Sequence, residues 1–551
     1  MMEGSSQATE PPATVAQAPL PAEEARHAGG LRSRLLEIAC LIAIAAGVAL
    51  RVATWWTGDI ASDGAAYSAM GWAWMKYGEF YLPWGDIAVF GVSPPGWSHH
   101  FTPAWPFLLG VAYKAFGFGP ETTKSVSIGV SILAVGVLYL CTRNLYGHRA
   151  GLALAAVFSL EPHLLWAAAE GWSENLVIAL FALTMWSILK SLEKGKEWYI
   201  VLGGLFAGLT YLSRSSMGPF FLIAGAGGFA WRFLYLRWAV FKQKWYLAAA
   251  VLFMLIFGAW AWRNVSLFGW EEKPFSIPFL WAGTIAWPNW ETSSYVTYIY
   301  KNAWANQDQF FHALSRKIPF FLGFVAMYAL FFLPELRESA RVVKQEKESA
   351  LWLAALLTLV LGWVLASMFW VFEQSSLYWM DNRRYALLAY LPIVWAVVKH
   401  AKWDSRRFQG RLVVFLVALL VVSGYVVAFP LKSQDAEAVK LVNERLEEGD
   451  SISVEGALTK YTAFPYWKTT NISVYHKCDT YTHEGVTKRC PAPRFILSTL
   501  GEWQPKDGGY EWHPKTYPGY TYLGAGHVKD LSGRDWNVYV WESNLTAGKA
   551  G

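Results

Sequence analysis

The chain has 551 residues, 54% hydrophobic and 17% aromatic, with only 16% charged, against about a quarter in an ordinary soluble domain. Its net charge of +6 is small for the length, and the basic residues fall in short clusters between apolar runs, which excludes a nucleic-acid-binding surface. With 32 Trp, 27 Tyr and 33 Phe, the composition is that of a polytopic membrane protein with many rings at the membrane–water interfaces.

Residues 1–30, rich in Ala, Pro, Glu and Gly, read as a disordered cytoplasmic tail. The first apolar run starts too late and continues too far for a cleavable signal peptide. Apolar segments follow near 33–54, 121–142, 148–167, 174–191, 198–213, 216–234, 245–263, 315–334, 351–372, 384–399 and 411–430. Basic clusters at Arg32/Arg34, Arg143/Arg149, Lys190–Lys196, Arg232–Lys244, Arg337–Lys347 and Lys399–Arg411 mark the cytoplasmic side. All six share that side only if an even number of crossings separates each pair. A further apolar stretch, 103–117 (PAWPFLLGVAYKAFG), breaks this parity if it spans. It is short, Pro-rich at its start and carries Lys114, so it is expected to lie along the membrane surface. The fold class is therefore an α-helical polytopic membrane protein. It has about eleven transmembrane helices over 31–430, juxtamembrane helices in the first outer loop, an inside N-terminus and an outside C-terminus.

Four pieces then face outward: 55–120, a short loop at 168–174, 264–314, and the tail 431–551. The tail opens with a helical pattern (DAEAVKLVNERLEEGD) and continues with β-like runs (SISVEG, RFILSTL, WNVYVWES), which predicts a small extracytoplasmic α/β domain. Asn471 and Asn544 are sequons in it, and Asn264 is a third at a span end. Cys478 and Cys490 could pair in an exported domain, while Cys40 and Cys141 read as packing residues.

Charged residues gather at the outer span ends. Asp59 and Asp63 follow the first span, and His99 and His100 precede the surface segment. Glu170 and Glu174 flank the second outer loop, Arg214 follows the fifth span, and Arg263 and Asn264 end the seventh. Asp381, Arg383, Arg384 and Tyr385 open the tenth. Singly, such residues snorkel or solvate loops. As a set of acids and bases on one face they suit an anionic lipid headgroup and a catalytic carboxylate.

These segments, in this order, resemble the glycosyltransferase C superfamily, the multispanning enzymes that use polyprenyl-phosphate sugars. The likeness is to its branch of protein O-mannosyltransferases and lipid A aminoarabinose transferases. It is carried by Asp63 and Tyr67 ahead of AMGWAWMKYGEF, by HHFTPAWPFLLGVAYKAFG, and by YLCTRNLYGHRAGLALAAVFSLEPHLLWAAAEGWSENLVIALFALTMW. The later segments GGLFAGLTYLSRSSM, WAWRNVSLFG and RRYALLAYLPIVW extend it over roughly 33–430. Two departures stand out. Ser62-Asp63-Gly64 lacks the glutamate of the family's Asp-Glu pair, and the tail lacks the Trp-Trp-Asp signature of oligosaccharyltransferases.

The resemblance implies transfer of a single sugar from a dolichyl or undecaprenyl monophosphate to a protein, lipid or glycan acceptor, with inversion. Such a reaction needs a base for the acceptor proton and cations for the leaving phosphate. Asp63 is the expected base. Asp59, one helical turn earlier, reads as a helix N-cap or a solvated loop acid, with catalysis as its alternative. Arg383, Arg384 and Arg263 are expected on the phosphate, followed by His100 and Arg214, with Tyr385 offering a hydroxyl. Glu174 has three readings: a metal ligand with Asp63, an orienting group, or the partner of an arginine. No cofactor is called for with certainty, and a divalent metal stays open because relatives differ. Trp281, Trp287 and Trp290 in the 264–314 loop could stack on sugars, or the loop could be a packing lid. The competing function is a transporter or flippase of polyprenyl-linked glycans.

Overall fold

A computed structural model describes residues 22–60, 63–82, 96–97, 101–214, 244–268, 331–335, 337–338, 391, 394–395, 397–428, 434–455, 464–476, 480–483, 486–489, 493–506, 509–529 and 535–544. The expected spans at 216–234 and 351–372, most of those at 315–334 and 384–399, the 264–314 loop beyond Phe268, and Cys478 and Cys490 lie outside the described residues.

The described membrane region is helical. α1 runs Ala22–Thr57, and α2 (Asp63–Tyr77) and α3 (Ala104–Phe116) stand in the first loop. α4 (Pro120–Tyr146), α5 (His148–Ser159), α6 (Pro162–Glu170), α7 (Glu174–Ser191) and α8 (Tyr199–Ser213) follow. α9 (Lys244–Phe268) and α10 (Arg406–Ala428) complete the set. Five of the described helices contain a stretch long and apolar enough to cross a membrane, and α5 with α6, bent by 56°, passes the same test as a pair, as a broken span or a re-entrant loop. α8 is apolar but shorter. α3, at 13 residues, is about 20 Å long and cannot cross a ~30 Å hydrocarbon core; it packs instead beside α2. α1 begins at Ala22, within residues 1–30.

The bend between α5 and α6 explains how this region holds together. Breaking a helix within a bundle leaves carbonyls and amides that lipid cannot satisfy, each at a cost of several kcal/mol. Here four of these groups meet side chains. Arg51 of α1, fully buried, donates from Nη2 to the Phe158 carbonyl at 3.1 Å and from Nη1 to the Ser159 carbonyl, and Nη1 also reaches Gly47 O at 3.1 Å. Ser423 of α10 donates to the Leu160 carbonyl. On the far side of the break Glu161 accepts from the Leu164 amide at 2.8 Å, capping α6, and Pro162 sits at its start, where no amide is needed. α1 can come this close because Gly47 faces Ser159, where a Cβ would collide.

Other crossings use the same economy of size. Gly204 and Gly208, four residues apart on α8, face the Ala249 backbone and Ile256 of α9. Cys40 and Cys141 are buried in the main core, as expected of packing residues.

The C-terminal region is α/β, as its alternation indicated. α11 (Gln434–Asn443) lays Ala436, Val439 and Val442 on a five-stranded sheet. Numbering strands from the short pair β1 (Tyr81–Leu82) and β2 (Gly96–Trp97) of the first loop, the region contains β3 (Ser451–Glu455), β4 (Ser473–His476), β5 (Thr480–His483), β6 (Val486–Arg489), β7 (Phe495–Ser498), β8 (Gly501–Lys506), β9 (Gly509–Pro514), β10 (Tyr520–Lys529) and β11 (Asp535–Ser543). The sheet order is β10-β11-β7-β3-β4, with β3 parallel to β4 and β7, while β5-β6 and β8-β9 form separate hairpins. β7 (FILS) is buried throughout, consistent with its central place. Of the sequons, Asn471 and Asn544 are exposed, whereas Asn264 is 4% exposed inside α9.

One face of the sheet has a small cluster of its own, Ile496, Tyr539 and Trp541, and the other shares its core with the first loop. Ile452, Val454, Phe495, Leu497, Val538 and Val540 join one hydrophobic cluster with α2 and α3, including Tyr67, Met70, Trp105 and Leu109. Removing Arg51 tests the bent span. Arg51→Met should lower the thermal unfolding midpoint in detergent by an amount equivalent to about 3 kcal/mol or more, since each orphaned carbonyl costs about 1–3 kcal/mol. Arg51→Lys, which keeps the charge but not the fork, should lie between it and wild type; equal midpoints for all three would remove Arg51 from the bend.

Candidate active site

The site is assembled from helix ends. Asp63 is the first residue of α2 and Glu174 the first residue of α7, and Arg214 caps the end of α8. Each charge sits at the end of its helix that favours it: acids at N-termini, the cation at a C-terminus. The geometry between them is set by close packing. The α6–α7 turn reverses at Gly171, which is left-handed at φ 77° and gives α6 its C-cap. Trp105 of α3 donates to the Gly171 carbonyl at 2.8 Å. At the start of α2, Gly64 meets the Glu170 carbonyl where any side chain would clash. The beginning of α2 therefore lies directly on the turn that leads into Glu174.

Glu174 is 3% exposed and forms an ion pair with Arg214. Pairing with an arginine is one of its three readings, and the other two stand beside it. Tyr67 ties this pair to Asp63. It is 6% exposed, one turn along α2 from Asp63, and its hydroxyl lies 3.4 Å from Ser173 Oγ. Burial pushes the Tyr67 phenol well above its ordinary pKa; the nearby Asp63 carboxylate pushes the same way, as does Glu174, while Arg214 opposes them. Tyr67 is thus a protonated donor among two carboxylates and a guanidinium. Asp63 itself is half-buried, so it retains access that Glu174 lacks.

Beneath the site runs a buried polar chain. Arg51 Nε donates to Ser131 Oγ at 2.6 Å, Ser131 donates to Asn175 Oδ1 at 2.8 Å, and Asn175 donates to the Leu164 carbonyl at 3.1 Å. It connects the bend of α5–α6 to the residue next to Glu174. Arg51 did not stand out in the sequence, although a charge inside the run AGVALRVATWW is the signal that finds such residues.

The other expected site residues divide. Asp59 is not a solvated loop acid. It is 3% exposed, pairs with Lys124 of α4 at 3.6 Å and accepts from the Tyr466 hydroxyl at 3.1 Å. The neighbours that bury it come from residues 65 and 407 positions away, which local reading does not reach. Arg263 donates to Asn264 Oδ1 at 2.8 Å and to the Phe80 carbonyl at 2.9 Å, and stacks on Trp260. Phe80 lies just past the C-terminal end of the 15-residue α2, about 22 Å from the Asp63 end, so the structure does not bring Arg263 beside Asp63. His100, Arg383, Arg384 and Tyr385 lie outside the described residues, as do His99, Trp281, Trp287 and Trp290. Among the described residues, no group of three or more His, Cys, Asp or Glu is placed to hold a metal.

The Glu174–Arg214 pair is testable by a double-mutant cycle. Arg214→Met should destabilise the protein by about 3–5 kcal/mol by stranding a buried carboxylate, and adding Glu174→Gln should recover much of that loss. Additive effects on thermal unfolding would show that the pair does not act as one.

Residues 99–262 match the family model described as dolichyl-phosphate-mannose-protein mannosyltransferase. The match includes Glu174 and Arg214 and begins after Asp63. None of the curated protein sequences matches the chain. Among solved structures, apo ArnT from Cupriavidus metallidurans is similar over 91% of this chain and 97% of its own, with a TM-score of 0.55 at 10% identity. The Archaeoglobus fulgidus oligosaccharyltransferase is similar over 76% of this chain, at 16% identity and a TM-score of 0.48, and the chain spans 60% of its length. The order of segments read from the sequence, the match over residues 99–262 and the near end-to-end likeness to ArnT agree: the chain has the fold of the glycosyltransferase C superfamily.

Proposed function

We propose that the protein is a membrane glycosyltransferase that moves one sugar from a polyprenyl monophosphate, dolichyl or undecaprenyl, to an extracytoplasmic protein, lipid or glycan, inverting the anomeric carbon with Asp63 as general base. The observation that carries this reading is the half-buried Asp63 at the first turn of α2, beside Tyr67 and the Glu174–Arg214 pair. The match of residues 99–262 to a family described by a dolichyl-phosphate-mannose donor supports the donor class.

In the proposed step the Asp63 carboxylate takes the proton of the acceptor nucleophile as its lone pair attacks the anomeric carbon. The bond from that carbon to the phosphate oxygen breaks on the opposite face, and its electron pair leaves with the polyprenyl phosphate. No glycosyl-enzyme forms. Glu174, paired with Arg214, adds little net negative charge beside Asp63. Tyr67, held protonated, offers a hydrogen bond to the acceptor or to Asp63. The leaving phosphate is assigned to Arg383 and Arg384, with Tyr385 and His100, because a guanidinium holds phosphate oxygens in pairs. Arg214, already paired with Glu174, lies near Tyr67 and ranks after Arg383 and Arg384 for the phosphate. Arg263, committed to Phe80 and Asn264, is the weakest of the phosphate assignments. Asp59, bound by Lys124 and Tyr466, is not assigned to proton transfer.

Transfer of labelled sugar from a polyprenyl phosphate to an acceptor in detergent tests the reading. Asp63→Asn should lower the rate roughly 10²–10⁴-fold without moving the unfolding midpoint; an unchanged rate would remove Asp63 as the base. Movement of the lipid-linked sugar across proteoliposomes without transfer would identify a flippase instead. Arg383→Ala should weaken donor binding roughly tenfold or more, the size of one lost hydrogen bond to a charged group, and unchanged donor affinity would take Arg383 off the phosphate.

A further inference from the structure

The C-terminal α/β region reaches into the segment that carries the acid. Its 3₁₀ turn Phe464–Tyr466 packs against α2 and α4. Phe464, fully buried, has its ring 5.8 Å from Trp72 of α2 and 5.6 Å from Phe118. Next to it, the Tyr466 hydroxyl makes two contacts with the short connection between α1 and α2. It accepts from the Ile60 amide at 3.0 Å and donates to Asp59 Oδ1 at 3.1 Å. Lys124 balances the buried carboxylate at 3.6 Å and also reaches the Trp55 carbonyl at 3.3 Å, tying α4 to the end of α1.

The turn is itself braced from behind. Asn443 of α11 donates to the Tyr466 carbonyl at 2.7 Å and accepts from the Lys468 amide at 2.9 Å. Burial and the adjacent Asp59 carboxylate push the Tyr466 phenol above its ordinary pKa, so the hydroxyl keeps the proton that Asp59 accepts.

What Tyr466 holds is Ile60, and Ile60 touches both halves of the site. It is fully buried. Its side chain is the neighbour that a Cβ would meet at 3.3 Å on Gly64, in the first turn of α2, and at 3.0 Å on Gly171, in the turn leading to Glu174. Ile60 is thus a spacer between the element that carries Asp63 and the element that carries Glu174, and its backbone amide is fixed by a residue 406 positions away.

We propose that Tyr466 is a positioning residue for the site: by bridging the Ile60 amide and the Asp59 carboxylate, the C-terminal region sets the start of α2, and with it Asp63, against the α6–α7 turn. The kinetic part of this proposal rests on the glycosyltransferase reading with Asp63 as base; the structural part does not. Asp59 belongs to this bracket, which accounts for a buried acid so near the expected base.

The test is Tyr466→Phe in the full-length protein, which removes only the hydroxyl and leaves the ring in place. Hydrogen–deuterium exchange of the peptide covering residues 58–67 should rise roughly tenfold, while strands β3, β7 and β11 keep their protection. In the sugar-transfer assay kcat should fall roughly 10–100-fold with little change in KM for donor or acceptor, since a base displaced by about 1 Å costs that order of rate. Asp59→Asn should do the same, and the double variant should be no worse than either alone. Unchanged exchange over 58–67 in Tyr466→Phe would overturn the proposal, as would exchange rising equally across the sheet, which would make Tyr466 an ordinary stability contact. If the wild-type protein transfers no sugar, the function reading fails, and the exchange experiment still decides whether Tyr466 holds this segment.

Discussion

A buried guanidinium that closes a broken helix is the constraint on which this membrane region depends. In lipid, a helix may bend sharply only where its freed backbone groups are satisfied from within the protein. Arg51 meets two carbonyls at the end of α5, Ser423 meets the next, and Glu161 caps the start of α6. The same Arg51 hands a hydrogen bond through Ser131 to Asn175. One side chain therefore joins α1, α4 and α5 and reaches α7 through its partners. The bend carries α6 to Glu170 and Gly171, on which the first turn of α2 rests. Without it the turn leading to Glu174 would not lie under Asp63.

The site inherits its character from that arrangement. It is made of helix ends, which bring backbone dipoles of the right sign to each charge, and it is kept tight by glycines where helix meets helix. Glu174 and Arg214 neutralise each other in burial, so the half-buried Asp63 remains the more accessible acid of the group. Tyr67 links the three electrostatically. The other carboxylate after α1, Asp59, is buried between Lys124 and Tyr466.

The α/β region is part of this machinery and not an appendage. Its sheet shares one hydrophobic core with α2 and α3, and the aromatic contact of Phe464 with Trp72 and Phe118 seats it. A domain joined by such a core constrains the loop beneath it, because packed interiors transmit strain instead of yielding to it.

Much of this was legible in the chain alone. Long apolar runs set the helices, since only helices satisfy their own backbone in lipid; the Pro-rich, 15-residue PAWPFLLGVAYKAFG was too short to span; alternation marked β3, β7 and β11. The acids and the arginine at the ends of α2, α7 and α8 were visible as charges at span ends, and Asp63 and Glu174 were among them. The sequence could not say that Glu174 pairs with Arg214, that Arg263 sits at the far end of α2, or that Asp59 is buried. Those outcomes depend on partners 40, 183 and 407 residues away. Local pattern determines which segments become helices or strands, because hydrogen bonding and hydropathy act over a few residues. Which charge is neutralised and which stays open is decided by packing, because burial and pairing are properties of the assembled ends.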